Sequence, residues 1–149
     1  GNTLVLFNYV EKHGTPLYEL INNNVDSARK VFFVHGGTDV EDREEVRNLT
    51  ETESNAIIVA SYGTFSTGIN IKRLHNIVFA SPSKSRIRNL QSIGRVLRKG
   101  EGKDIATLYD IADDIGGQNY TLKHLNERVN IYNNENFKYE VIRVNLRAN

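Results

Sequence analysis

Apolar residues fall in short runs separated by stretches that are polar or helically patterned, a rhythm that predicts alternating strands and helices. Residues 3–7, 31–34, 56–60, 77–80 and 105–109 form five such runs. Each has the length of a strand, and none alternates cleanly with polar residues, so these strands are expected to be covered on both faces. Between the first two runs, Thr15 stands as an N-cap residue with Pro16 in the first helical position, followed by Leu17, Leu20 and Ile21 at helical spacing. After the second run, Thr38 with Glu41 three residues on reads as a capping box, worth about 1 kcal/mol, opening a helix that carries Val46 and Leu49 inward. A loop rich in Gly and Ser runs to Lys72, and Pro82 ends the fourth strand. From 84 to 99, Ile87, Leu90, Ile93 and Leu97 share one helical face until Gly100 and Gly102 stop the helix.

Past Gly116 and Gly117 the chain becomes more polar. The pattern there predicts a helix over 122–132, an asparagine-rich turn and an alternating strand over 139–146 lying on the sheet edge. The fold class that follows is α/β: a mostly parallel sheet with helices on both faces, plus a C-terminal helix and edge strand. Residues 1–117 form the domain core and 118–149 an extension packed on the same domain. In such sheets ligands bind beyond the carboxyl ends of the strands.

Composition narrows the picture. With 149 residues, 39% hydrophobic and 25% charged, the chain has the apolar material for one ordinary core. Nineteen Lys and Arg against eighteen Asp and Glu leave +1, so affinity for nucleic acid has to come from a local patch. Cysteine is absent, which removes disulfides and thiolate zinc sites and fits a reducing cytoplasm. The apolar runs are too short for a bilayer span or a signal-peptide core, so no membrane partner is expected. Methionine is also absent, and the first strand begins directly after Gly1, as in a piece cut from a longer protein.

The most informative stretch is 91–98, because Gln91, Arg95 and Arg98 lie at i, i+4 and i+7 and project from one helical face, apart from the apolar stripe. One amide and two guanidinium groups on a common face suit phosphate: guanidinium stays charged, donates parallel hydrogen bonds and stabilises negative charge on a transferring γ-phosphoryl group. The plainer alternative is an amphipathic helix with a solvated basic face. A second stretch, 57–71, is a strand feeding a loop of hydroxyl residues and glycine, side chains small enough for backbone amides to approach a phosphate.

The sequence Gln-x-x-Gly-Arg-x-x-Arg resembles motif VI of superfamily 2 helicases, and 57–71 is similar to their motif V. Phe7, Asn8 and Tyr9 resemble motif IV, and Val34, His35 and Gly36 resemble motif IVa. The resemblance covers roughly 3–114 and implies a RecA-like fold, the C-terminal one of two motor domains. It implies that Arg98 is the arginine finger, that Arg95 is a second contact to the terminal phosphates, and that Gln91, Gly68 and Asn70 lie at the ATP cleft. It also implies a nucleic-acid grip through Asn8, His35, Gly36, Ser61, Tyr62 and Thr64. Asn70 stands where the family usually has aspartate, so hydrogen bonding survives there but charge is lost.

No Gly-x-x-x-x-Gly-Lys-Ser/Thr loop and no Asp-Glu-x-His box occur, so by the same resemblance ATP and Mg²⁺ are bound mainly by an N-terminal RecA-like domain of the same polypeptide. The chain alone is expected to be inactive. The implied partner is DNA, single-stranded or branched, or an RNA–DNA hybrid, in recombination, repair and replication restart. Two other readings compete. Asp110, Asp113 and Asp114 form a carboxylate cluster that a metal-dependent nuclease or phosphatase would use, against a plain reading as a solvated loop whose acids oppose nearby lysines. A non-catalytic binding or annealing module would reuse the fold and grip phosphates through Ser61, Thr64, Lys72 and Arg73. His75 and His124 read as surface histidines.

Overall fold

The computed structural model describes residues 1–66, 74–80, 107–112, 120–134 and 137–145. Five strands, β1 (Asn2–Phe7), β2 (Val31–Val34), β3 (Ile57–Ser61), β4 (Leu74–Phe79) and β5 (Thr107–Asp110), build one sheet in the order β2-β3-β1-β4-β5. Every described pairing is parallel. Alternation along each strand divides the core in two. On one face Leu4, Leu6, Val34, Ile58, Ala60, Ile77 and Phe79 are buried in a single cluster. On the other, Val5, Phe7, Ile57 and Val59 form a second. Burial of both faces is why the runs are apolar without a polar beat.

The helices divide between these faces. Helix α1 (Thr15–Asn24) lays Leu17, Tyr18 and Ile21 on the second cluster. Helix α2 (Val40–Thr52) sends Val46 to the first cluster. There it is joined by the C-terminal helix α4 (Tyr120–Asn134), through Val129, Ile131 and Tyr132. A short helix α3 (Tyr62–Ser66) follows β3 directly, where the sequence predicts a loop.

Several local expectations change in three dimensions. Thr15 is no N-cap: a π-helical turn, Val10–Gly14, runs straight into α1, with the amides of His13 and Gly14 both donating to the carbonyl of Tyr9 at 2.9 and 3.0 Å. Glycine is required in this turn, because a Cβ on Gly14 would sit 2.5 Å from the ring of Phe7. Leu20 faces solvent. The capping box of Thr38 and Glu41 does not form. The Thr38 hydroxyl instead accepts the His35 amide at 3.0 Å, and α2 starts one residue later behind Asp39, which makes no side-chain cap. Strand β4 begins at Leu74, earlier than expected, since the polar His75 and Asn76 disguise it; the Asn76 amide donates to the Thr3 hydroxyl at 3.4 Å. His75 is half-buried in that strand and His124 half-buried on α4.

The expected edge strand is absent among the described residues: 137–145 adopts no regular structure, and Val141, Ile142 and Val144 are each more than 70% exposed. A strand-like sequence becomes a strand only where a neighbour completes its hydrogen-bond ladder and covers its side chains. The expected helix over 84–99 lies outside the described residues.

One buried side chain ties this frame together. Asn2 donates to the carbonyls of Thr50 and Glu53, both at 2.9 Å, and accepts from the amide of Ala56 at 2.8 Å. It thereby satisfies carbonyls at the end of α2, which have no intrahelical partner, and fixes the entry to β3. Replacing it with alanine strands the Ala56 amide without its partner, so Asn2→Ala is expected to lower stability by about 1–3 kcal/mol. A fall in the urea midpoint at unchanged slope is the measurement, and an unchanged midpoint refutes the role.

Candidate nucleic-acid and nucleotide interface

Parallel pairing sends all five strands' carboxyl ends to one edge. β1 leads away to β2 while its neighbour β4 leads the other way to β5, so the onward connections diverge between these two strands and open the crevice where ligands of such sheets bind. Register brings the candidates level. Phe7 pairs with Ser61, Val34 with Ala60, and Phe79 with Asp110. Asn8, His35, Ser61 and Asp110 therefore mark one rim.

On that rim His35 is held firmly. Its amide donates to Thr38 and its carbonyl accepts the Thr38 amide at 3.0 Å, closing a tight turn. Its ring packs on Phe33 at 5.2 Å between centroids, and its Nδ1 accepts the Gly37 amide at 3.0 Å. Because Nδ1 accepts, the proton of the neutral ring resides on Nε2, the donor that an anionic oxygen would meet. Gly36 is exposed, and a Cβ there would meet nothing within 4 Å. The glycine with a close neighbour is Gly37, whose added Cβ would come within 2.9 Å of the His35 ring. Asn8 is half-buried beside β1.

The residues after β3 behave differently from the expectation. Ser61 and Thr64 are buried with their hydroxyl oxygens 2.7 Å apart, and the Thr64 amide donates to Ser61 Oγ at 3.3 Å. Ser61 therefore caps α3. Tyr62 is buried in the first core cluster, its ring tilted against Phe79 at 5.8 Å. Its side chain is a core element, and a phosphate reaching Ser61 or Thr64 would have to displace their mutual contact. Gly68, Asn70, Gln91, Arg95 and Arg98 lie outside the described residues, as do Lys72, Arg73, Asp113 and Asp114.

Asp110 is a largely buried, ion-paired acid and not a solvated one. Arg128, only 2% exposed, grips it with two donors, Nε to Oδ2 at 2.6 Å and Nη2 to Oδ1 at 2.7 Å. Tyr132 adds its hydroxyl to Oδ2 at 2.5 Å. Burial, followed by the charge of Asp110, pushes the Tyr132 phenol well above the ordinary tyrosine range, so it remains a protonated donor. Both Asp110 oxygens are thus committed. Among the described residues no group of three or more His, Cys, Asp or Glu side chains is placed to hold a metal ion. Sequence reasoning missed this triad, although one signal was available: Arg128 and Tyr132 lie at i and i+4 on a helix, one face presenting two donors.

Residues 1–100 match the model of the helicase conserved C-terminal domain. The chain belongs to that family. It is 43% identical, over 97% of its length, to the ATP-dependent DNA helicase uvsW of Enterobacteria phage T4, of which it spans 31%. The crystal structure of T4 UvsW superimposes with a TM-score of 0.70 at 42% identity, over 91% of this chain and 29% of that one. Domain 2 of the DEAD-box helicase Mss116p, solved bound to an RNA duplex, shares the fold at a TM-score of 0.68 and 17% identity, over 89% of this chain and 48% of that one. The fold is RecA-like, and the rim just described is the carboxyl edge of that domain's sheet. The family match ends at residue 100, whereas the kinship with the phage helicase extends into the C-terminal helix that carries Arg128.

The Asp110–Arg128 pair joins that helix to the edge strand β5, beside the apolar contacts of Val129, Ile131 and Tyr132. Removing one partner leaves a buried charge uncompensated, so Asp110→Asn or Arg128→Met is expected to cost about 3–5 kcal/mol, while the double variant Asp110→Leu/Arg128→Met recovers much of the loss. Chemical denaturation of the three variants checks this. Single variants within 1 kcal/mol or so of the parent would remove the clamp from the account.

Proposed function

We propose that this chain is the C-terminal motor domain of an ATP-dependent DNA helicase or translocase acting on branched DNA and R-loops. The observation that carries the reading is the 43% identity with a phage DNA helicase across 97% of the chain. In this reading an N-terminal RecA-like domain of the longer polypeptide holds ATP and Mg²⁺. The sequence fits that division of labour in one respect: the chain has no Walker loop.

ATP, when bound, supplies the phosphoryl group whose hydrolysis drives movement. On this side of the cleft Arg98 acts as the arginine finger, with Arg95 as a second cation and Gln91 as a polar contact. Gly68 and Asn70 line the cleft. Asn8, His35 and Gly36, at the ends of β1 and β2, face the nucleic-acid backbone, His35 through its Nε2–H. Ser61 and Thr64 join them only by giving up their mutual contact, and Tyr62 contributes by positioning its loop from the core.

In the complete protein, Arg98→Ala is expected to reduce DNA-stimulated ATPase turnover by about 10³- to 10⁵-fold, roughly 4–7 kcal/mol, with DNA binding largely kept. Turnover like the parent's would reject the arginine assignment. The chain by itself is expected to hydrolyse no ATP and to bind single strands weakly. Its affinity should fall with salt by a log–log slope of about −0.7 per phosphate neutralised, so a titration over sodium chloride that leaves affinity flat excludes this phosphate grip.

A further inference from the structure

The described rim carries an aromatic ring, past the end of its central strand, that the core does not use. Tyr9, two residues past the end of the central strand β1, is 63% exposed, while the nearby rings of Phe7, Tyr18 and Phe33 are packed together in the second cluster. Its backbone is fixed, because its carbonyl accepts both the His13 and Gly14 amides of the π-helical turn. The same turn supplies its neighbours: the His13 ring lies tilted at 5.4 Å between centroids, and Lys12 places Nζ over the Tyr9 ring at 6.0 Å. Lys12 is itself exposed, and a cation at the outer limit of cation–π range leaves at little cost for a phosphate.

An exposed ring on a hydrogen-bonded turn, beside an exposed ammonium, provides the two parts that a single strand meets in non-specific recognition: a π-face for a base and a charge for its backbone. His35 reinforces the match. It stands at the same rim two strand spacings away, roughly 10 Å, where it presents a second donor to the same backbone.

We propose that Tyr9 is a nucleobase-stacking residue, on which an unpaired base of a single strand stacks while Lys12 takes the adjoining phosphate. The assignment rests on the nucleic-acid reading above and adds to it a contact to a base rather than to the backbone. It makes this grip sensitive to whether bases are present and unpaired, and indifferent to which base it is, since every base offers a π-face.

The test uses this 149-residue chain in low salt, measuring by fluorescence anisotropy its affinity for an oligo-dT and for an abasic deoxyribose-phosphate strand of equal length. The parent should prefer oligo-dT by about 5- to 150-fold per stacked base. Tyr9→Ala should lose that preference and bind both strands alike, while Tyr9→Phe, which keeps the ring, should retain it. Circular dichroism of Tyr9→Ala should match the parent, because the ring is not in the core. If Tyr9→Ala keeps the preference for oligo-dT, or if the parent binds both strands equally, stacking is overturned and backbone binding stands. If the parent binds neither strand, the nucleic-acid reading falls with it.

Discussion

Parallel pairing of β1 with both β3 and β4 is the constraint from which the rest of the molecule follows. A strand with a neighbour on each side and helices over both faces keeps only its ends near solvent, and because every described strand runs the same way, their carboxyl ends meet at one edge. Residues as far apart in sequence as Asn8, His35, Ser61 and Asp110 become neighbours on that edge for no other reason. The order of the strands then divides it, since β1 and β4 send the chain off in opposite directions. One edge that gathers residues from all over the chain is thus a by-product of strand direction, on which side chains act afterwards.

Polar side chains near that edge serve two masters. Asp110 is largely buried there and fastens α4, just as Asn2, at the opposite end of β1, is buried and closes the end of α2. Ser61 and Thr64 satisfy each other at the start of α3. Such groups carry the chemistry of a binding site, yet burial obliges them to find internal partners, because an unpaired polar group away from water is costly. What stays at the surface of the rim is a smaller set, notably His35 with its Nε2–H, and Tyr9 with Lys12.

The C-terminal segment shows how the same rule adds structure outside the family's shared region. Arg128 is among the largest wholly buried side chains, and a guanidinium in that position is tolerable only because Asp110 receives two of its donors. Tyr132, in the core beside it, completes the carboxylate's shell and contributes its ring to the apolar cluster. Helix α4 therefore belongs to the domain rather than to a loose tail, whereas 137–145 beyond it finds no ladder partner among the described residues and leaves its apolar side chains in solvent.

Local pattern in the chain was enough to determine the five strands, the doubly covered parallel sheet and the edge at which the strands' carboxyl ends meet. Those features depend on short apolar runs and on a period of about four residues, which are written within a few positions of one another. The family, too, was legible, because its motifs are contiguous. Tertiary structure alone decided that Asp110 belongs to Arg128, that Tyr62 points into the core, that Ser61 faces Thr64, that Asn2 closes α2, and that 139–145 finds no ladder partner among the described residues. Each depends on which group arrives opposite another across tens of residues, or just across a turn, and burial enforces that pairing only once the chain has closed around it.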